Sequence, residues 1–583
     1  MLLEASWEVC NKVGGIHTVV TSKLFYARTH LGGGYLAIGP SLSEYVESFR
    51  EEAHPEWMLP ILAGLAEQGV RVRYGVWVGD GQDAPTVLID WSGLVNRRDE
   101  LKARFWSESG LDTMGTDFYD FDQPLLWGAA VGMFAQALSA TQPVLLQAHE
   151  WLSAGAFLTC STGPALHTVF TTHATVLGRA LASHGRVATD EPNLNPTAEA
   201  RALGVFAKHQ LEQLGATKAN VFTTVSSITA AEAEKVLGVP VAITENAMGA
   251  ELLIPLDQLS ALRSEVRSEL QDVLAATHFP TGSFDLDKVY HIFTMGRPET
   301  HAKGYDRLLQ ALGTLNTSLK EQGSSRTIAA WFLVPTGATR IRPASQGQLL
   351  VYERLEELLT INAKATAPNW YASFMAEAAE QEIPEFLTQD GLAPQHQHLA
   401  EALLNRLVHP VEAFYSPFEI NNEENDQIIN LSRQYGLGNK AEDRVKILYM
   451  PVYLEGLDGI LNRPLTQIIP AFDLGVFPSF YEPWGYTPME SIAGGVPAIT
   501  TNYTGFGVAA AKGSGVEAVD VLERGLDEDG FSNVLTEHIL EACKELPMVR
   551  ERHRLAALQL RHRFTWNERY SAYRAAYSKA LAA

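Results

Sequence analysis

Glu482 and Glu490 flank a Gly-Tyr-Thr-Pro turn in the stretch SFYEPWGYTPMESIAGGVPAITTN, residues 479–502. The apolar run LGVFPS (474–479) ahead of them reads as a buried strand, and Pro483 and Gly485 break it. Thr487-Pro488-Met489-Glu490 then reads as a helix start, with Thr487 at the N-cap and Pro488 at the first helical position. Strand, loop and helix N-terminus together offer unpaired amides and a partial positive charge, which suit a phosphate. The T-x-x-E spacing fits a capping box equally well, so Glu490 has two readings. Glu482 lies just past a buried strand, where open α/β sheets place their ligands. One carboxylate for hydroxyl groups beside a phosphate-binding helix end points to a sugar-nucleotide or phosphate site.

Three further stretches have chemical potential. In CNKVGGIHTVV (10–20), Gly14 and Gly15 allow close backbone approach to a ligand at a helix N-terminus. A tight turn without a ligand fits as well, and the absence of G-x-G-x-x-G disfavours a dinucleotide. In GRPETHAKG (296–304), Arg297 and Lys303 sit six apart in a strand-to-helix loop and suit a diphosphate leaving group. Taken alone, that pair reads more readily as two solvated surface charges. THATVLGR (172–179) places His173 at a strand end with Arg179 six residues on, and AHEW (148–151) places His149 and Glu150 at another. Two histidines at strand ends are expected to face one cleft. The Asp120/Asp122, Asp285/Asp287 and Asp527/Asp529 pairs lie in polar stretches rather than after buried strands, so no metal site is read.

These residues need a scaffold. The chain has 583 residues, 46% hydrophobic and 19% charged, enough for two to four domains. Its net charge of −23 argues against nucleic acid or an anionic membrane as a partner. Cys10, Cys160 and Cys543 have no paired spacing, which points to a reducing compartment. No signal peptide and no apolar run near the roughly 20 residues of a membrane span is seen, so a cytoplasmic location is expected. YLAIGP (35–40), VRVRYGVWV (70–78), TVLIDW (86–91), VLLQAH (144–149), HTVFTTH (167–173) and VFTTVS (221–226) read as strands alternating with helices. VYHIFTMG (289–296), AAWFLVP (329–335), VKILYMP (445–451), LGVFPS and PAITTN (497–502) form a second series. That alternation predicts two doubly wound α/β domains built on parallel sheets. We expect an N-terminal domain over 1–250 and a C-terminal one over 285–555. A helical insertion without a clear strand spans about 340–440, and a last helix over 556–583 packs back on the first domain. Its aromatic stripe reads as packing.

With those pieces in view, the chain resembles the eukaryotic-type glycogen synthases, glycosyltransferase family 3, in their bacterial form. The resemblance rests on EASWEVCNKVGGIHTVVTSK, AHEW, FTTHATVLGRALA, ANVFTTVSSITAAEAE, MGRPETHAKGYDRLLQAL, VYLEGLDGI and FPSFYEPWGYTPMESIAGGVPAITTNYTGFG, in the family's order from residue 4 to about 507. It implies a GT-B fold, two Rossmann-like domains facing a cleft. It also implies a retaining transfer of glucose from a nucleotide-glucose to the non-reducing end of an α-1,4-glucan, without a metal or other cofactor. Arg297, Lys303, the amides near Gly485, Tyr486 and Thr487, and the Lys12–Gly15 loop (Lys12, Gly14, Gly15) would bind the diphosphate. Glu490 would bind the ribose, and Glu482 and His173 would lie against the transferred glucose with Arg179 nearby. His149 and Glu150 would lie on the acceptor side. A homo-oligomer is expected. The alternatives are a GT-B transferase with a small acceptor, and a silent glucan-binding scaffold. The scaffold predicts loss of Glu482, Arg297 or Lys303, all of which are present.

The sequence departs from the family in places. Leu465 stands where eukaryotic members carry an aromatic residue that stacks on uracil, so UDP-glucose and ADP-glucose both stay open as donors, with UDP-glucose favoured. The arginine helix that binds glucose 6-phosphate in eukaryotic members is thinned to VRERHRLAALQLRHRFTW. Arg550, Arg554 and Arg561 can share a face there; a solvated basic face is the favoured reading, and a sugar-phosphate effector stays open. The long phosphorylatable tails of the eukaryotic members have no counterpart here. The family's PNG turn reads Glu245-Asn246-Ala247, which leaves the fit at Asn246 open.

Overall fold

The computed structural model describes residues 1–31, 34–78, 83–249, 253–377, 414–512, 517–525 and 527–583. Its first sheet has nine strands: β1 (Leu2–Ala5), β2 (Tyr35–Pro40), β3 (Phe49–Glu51), β4 (Arg71–Trp77), β5 (Ala84–Asp90), β6 (Val144–His149), β7 (Leu166–Thr172), β8 (Val221–Thr224) and β9 (Ala242–Ile243). They lie in the order β3-β4-β5-β2-β1-β6-β7-β8-β9. The strands β1, β2 and β6 are buried along their whole length, as expected of parallel strands covered on both faces. The expectation of an all-parallel sheet fails at one edge, where β4 runs antiparallel to both β3 and β5. Only 78–83 separates β4 from β5, too short for a crossover helix.

The second sheet contains β10 (Val289–Met295), β11 (Thr327–Leu333), β14 (Val445–Met450), β15 (Leu474–Val476), β16 (Ala498–Thr501) and β17 (Val519–Leu522), with β12 (Ala338–Ile341) and β13 (Phe418–Ile420) outside it. Its order is β14-β11-β10-β15-β16-β17, all parallel. Numbered along the chain, this is the 3-2-1-4-5-6 order of a dinucleotide-type fold. The parallel strands β1, β2, β5, β6, β7 and β8 of the first sheet repeat it. The strand order therefore reverses between β1 and β6, and again between β10 and β15. Loops leaving the carboxyl ends of those four strands are where such sheets bind ligands.

Between β11 and β14 the sequence predicts helices without a strand. The helix Pro343–Glu377 is present, yet β12 and β13 pair antiparallel beside it. The expected helix HLAEALLNRLVHP lies outside the described residues. The helix Trp566–Leu581 packs on the first sheet and on the helix Gly15–Leu31. Trp566, Tyr570, Tyr573 and Tyr577 are buried there, and Trp566 Nε1 donates to Ser22 Oγ at 2.8 Å. The aromatic stripe is packing. Among the described residues, no helix is long and apolar enough to cross a membrane.

Candidate active site

The loops after β1, β6, β10 and β15 meet at a cleft of about 600 Å³ between the two sheets. Gly14, Gly15, Glu150, His173, Arg179, Arg297, Glu482, Gly485 and Tyr486 all line it. Three local devices hold the second-sheet side. The short helix Thr300–Lys303 ends at Gly304, whose φ of +73° and tight approach to the Pro478 carbonyl exclude a side chain. The Phe480 amide donates to Ala302 O at 2.9 Å, joining the loop after β10 to the loop after β15. Across that joint Lys303 forms a short ion pair with Glu482, and both side chains are largely buried. Arg297 is more open, 3.0 Å from Glu299. The guanidinium of Arg179, on the helix Val176–Ala182, has no ion pair or hydrogen bond among the described residues, which leaves it available to an anion in the cleft.

The helix after the Pro-Trp-Gly turn starts two positions earlier than the T-x-x-E pattern predicts. It spans Tyr486–Ala493, with Gly485 at the N-cap at φ +102° and no side-chain cap. Thr487 is thus inside the first turn, and Glu490 is not half of a capping box. Gly485 takes a backbone shape that threonine would resist, so the turn is set by the glycine. The Glu490 carboxyl has no hydrogen bond or ion pair among the described residues. Burial pushes its carboxyl up to about 7, with Lys303 pulling the other way.

The first-sheet side departs further from expectation. Lys12 is exposed, 3.9 Å from Glu455, and lies outside the cleft wall. The helix N-terminus at Gly14–Gly15 is already occupied: Glu8 Oε2 accepts from the Gly14 amide at 2.8 Å and the His17 amide at 2.9 Å. Sequence reasoning missed Glu8, although a carboxylate shortly before a helix start is a capping signal. His149 does not face the cleft. It is buried behind His173, its Nδ1 2.9 Å from His173 Nε2. Successive side chains of a strand alternate faces, and a strand-end position alone does not say which face wins. Glu150 does reach the cleft wall. At φ +65° it is one of the few non-glycine residues in the left-handed region, a strain typical of functional sites. Its Oε1 accepts from the His173 amide at 2.8 Å and the Ala174 amide at 3.2 Å, fixing the turn that presents His173.

Beneath that turn lie two more carboxylates that the sequence did not mark. Glu232 accepts from Thr175 Oγ1 at 2.7 Å and, from the other domain, from Tyr481 OH at 3.0 Å. Glu212 accepts from Thr172 Oγ1 at 2.6 Å and the Val176 amide at 2.9 Å. Burial first, and the nearby Glu150 and Glu232 charges second, push Glu212 up to about 8. Asn246 also lines the cleft, and its buried Oδ1 has no partner among the described residues, as an acceptor kept for a ligand hydroxyl would.

The remaining candidates are engaged elsewhere. Arg554 donates to Phe472 O and Pro470 O, and Arg561 to Ile254 O and Ala493 O, both buried; Arg550 donates to Glu545 O. They are neither a solvated basic face nor an open anion site. Asp122 pairs with Lys102 and Asp120 with Lys208, while Asp285 and Asp527 cap their own turns.

Two facing Rossmann-like sheets with a cleft at both switch points define a GT-B architecture. Solved structures of that architecture align over almost the whole chain. One is the catalytic domain of starch synthase IV from Arabidopsis thaliana (TM-score 0.51, 13% identity, 100% of this chain and 99% of that one). Another is an α,α-trehalose-phosphate synthase from Burkholderia xenovorans (TM-score 0.50, 9% identity, 99% of each). At these identities they establish the fold alone. The family is set by sequence: the glycogen synthase family model matches residues 4–583. Isoform 1 of glycogen [starch] synthase from Saccharomyces cerevisiae is 31% identical over 533 residues, 87% of this chain and 74% of that protein. The liver glycogen [starch] synthase of Rattus norvegicus is 29% identical over 562 residues, 94% and 78%. The chain belongs to the glycogen synthase family and is a glycosyltransferase.

Proposed function

We propose that this enzyme transfers glucose, with retention, from a nucleotide-glucose to the non-reducing end of an α-1,4-glucan, UDP-glucose being the favoured donor. The observation that supports the reading is that Glu482, Arg297, Arg179 and the Gly485–Tyr486 helix end line one cleft, with Lys303 paired to Glu482. Cations and helix amides suit a diphosphate; carboxylate, imidazole and Asn246 suit sugar hydroxyls.

Cleavage of the bond between glucose C1 and the diphosphate oxygen builds positive charge on the sugar and negative charge on the leaving group. Arg297, Arg179, Lys303 and the helix amides stabilise the second; one well-placed group of this kind is worth roughly 3–4 kcal/mol. Glu482 faces the first. The new bond from the acceptor oxygen forms on the face the diphosphate leaves, and the diphosphate oxygen takes the acceptor's proton, so the α configuration is kept without a covalent enzyme intermediate. Lys303 exchanges its carboxylate partner for the diphosphate when donor arrives. Glu490 binds the ribose, and Glu150 supports the acceptor side through the turn it holds. The Tyr481–Glu232 hydrogen bond joins the two domains beside the cleft, and closure there limits donor hydrolysis. The reading includes a cytoplasmic homo-oligomer that needs no metal. It is tested by incubating the protein with labelled nucleotide-glucose and glycogen. Label released by an exo-acting α-1,4-glucanase supports it; label appearing only as free glucose overturns it.

A further inference from the structure

His173 is the cleft-lining end of a buried chain of polar groups. His149 Nδ1 lies 2.9 Å from His173 Nε2, and His149 Nε2 lies 2.9 Å from Glu4 Oε1. The same Glu4 oxygen is 2.5 Å from Lys23 Nζ, and its Oε2 accepts from Tyr35 OH at 2.8 Å. Glu4, Lys23, Tyr35 and His149 are all but sealed from solvent. The Tyr573 ring, on the helix Trp566–Leu581, covers Lys23 at 4.2 Å. Of the five, only His173 lines the cleft.

The polarity of this chain follows from the inventory of donors. An ionised carboxylate only accepts, and a neutral imidazole has one donor nitrogen and one acceptor nitrogen. Glu4 is ionised: burial alone would raise its carboxyl, but Lys23 first and the hydrogen bond from His149 second outweigh burial and hold it below the usual carboxylate range. His149 is neutral, because burial and the Lys23 charge disfavour a second cation despite Glu4. Its hydrogen therefore sits on Nε2, facing Glu4, and its Nδ1 accepts. The facing Nε2 of His173 must then carry the hydrogen. That leaves His173 Nδ1 as a lone pair; it has no protein partner among the described residues and is not sealed off.

We propose that Glu4 and His149 are positioning residues that lock His173 in the Nε2–H tautomer, so that the cleft meets a hydrogen-bond acceptor at Nδ1. An acceptor there welcomes a sugar hydroxyl and repels a phosphate oxygen, which sorts the two halves of a nucleotide-sugar within one cleft. The inference rests on reading the cleft as a sugar-transfer site. Neither Glu4 nor His149 touches the substrate; both act through His173, much as the buried carboxylate of a hydrolytic triad fixes its histidine.

The test uses the full chain with ¹⁵N-labelled histidine and long-range ¹H–¹⁵N correlation, His149 and His173 being assigned from the signals lost in His149→Asn and His173→Asn. Both rings are expected with the proton on Nε2. A wild-type His173 protonated on Nδ1 overturns the proposal, and that reading needs no variant to fold. Glu4→Gln keeps a carbonyl oxygen toward Lys23 and His149 and should keep both tautomers, whereas Glu4→Leu removes the acceptor and should let the Nδ1–H form appear in both rings. kcat for glucose transfer then falls about tenfold or more, while the Kd for UDP stays unchanged. A Glu4→Leu chain that keeps the native tautomers overturns the role of Glu4, and altered tautomers with unchanged kcat overturn the role of the lone pair. Because the spectrum is read without turnover, a wild-type protein that transfers no glucose would contradict the proposed function and leave the tautomer result standing.

Discussion

Glu482 is held by its backbone on two sides, its amide donating to Tyr503 O at 3.2 Å and its carbonyl accepting from the Gly505 amide at 3.1 Å. Its carboxylate is then clamped by Lys303. Glu482→Gln keeps the shape and removes the charge that the proposed function sets against the sugar. We expect kcat to fall about 100-fold or more with UDP affinity retained, measured by steady-state rates and calorimetry; near-normal turnover would remove Glu482 from the chemistry. Lys303→Ala removes a charge-assisted contact to the diphosphate. The Kd for UDP should rise about tenfold, and an unchanged Kd would leave Lys303 as a structural partner of Glu482. At this scale the sequence was informative where a motif names both the residue and its direction. Lys303 and Glu482 could be picked out because each follows a strand whose loop must enter the crevice. Lys12 and His149 sat in equally suggestive motifs, but their side chains turn outward or inward in ways no spacing encodes. Glu8 was passed over because its role, capping a helix six residues downstream, is visible only once the turn is folded.

The elements that carry the site store an electrostatic cost. Glu212, Glu150 and Glu232 crowd under the end of β7 and the helix Val176–Ala182, and Glu212 titrates at about 8 instead of 4.5. Between those values the folded protein binds a proton that the unfolded chain has released. The contribution to stability is therefore full below about 4.5 and is lost as pH rises through about 8. Glu212→Gln should flatten the fall of Tm between acidic and alkaline pH; an unchanged Tm–pH profile would contradict this origin. The buried runs of β2, β6 and β10 were plain in the sequence because parallel strands leave no polar alternation. The short strands β3, β9, β12 and β13 were not, being too brief for a pattern. The antiparallel β4 was recognised as a strand but not by direction, which is set by the length of its connection. The start of the helix at Tyr486 was misread because a Thr-Pro signal sits one turn-defining glycine too late.

For the molecule as a whole, the two strand orders place four ligand-facing loops opposite one another, and hydrogen bonds from Tyr481 and Thr229 cross between the domains beside them. The alternation of strands and helices made the two-sheet architecture legible, while the cross-domain bonds, between residues far apart in sequence, left no local trace. In the proposed function Lys303, Arg297, Arg179 and helix amides meet the leaving charge, so an excess of chelator should leave the transfer rate unchanged; a loss restored by added divalent metal would contradict a metal-independent reaction. The central claim is glucose transfer from a nucleotide-glucose to an α-1,4-glucan in this cleft. It is tested most directly by the initial rate with glycogen, offering UDP-glucose and ADP-glucose separately, with and without glucose 6-phosphate. The account predicts glycogen-dependent turnover, faster with UDP-glucose. No turnover of either donor by folded protein, or turnover that does not require the glucan, would contradict it.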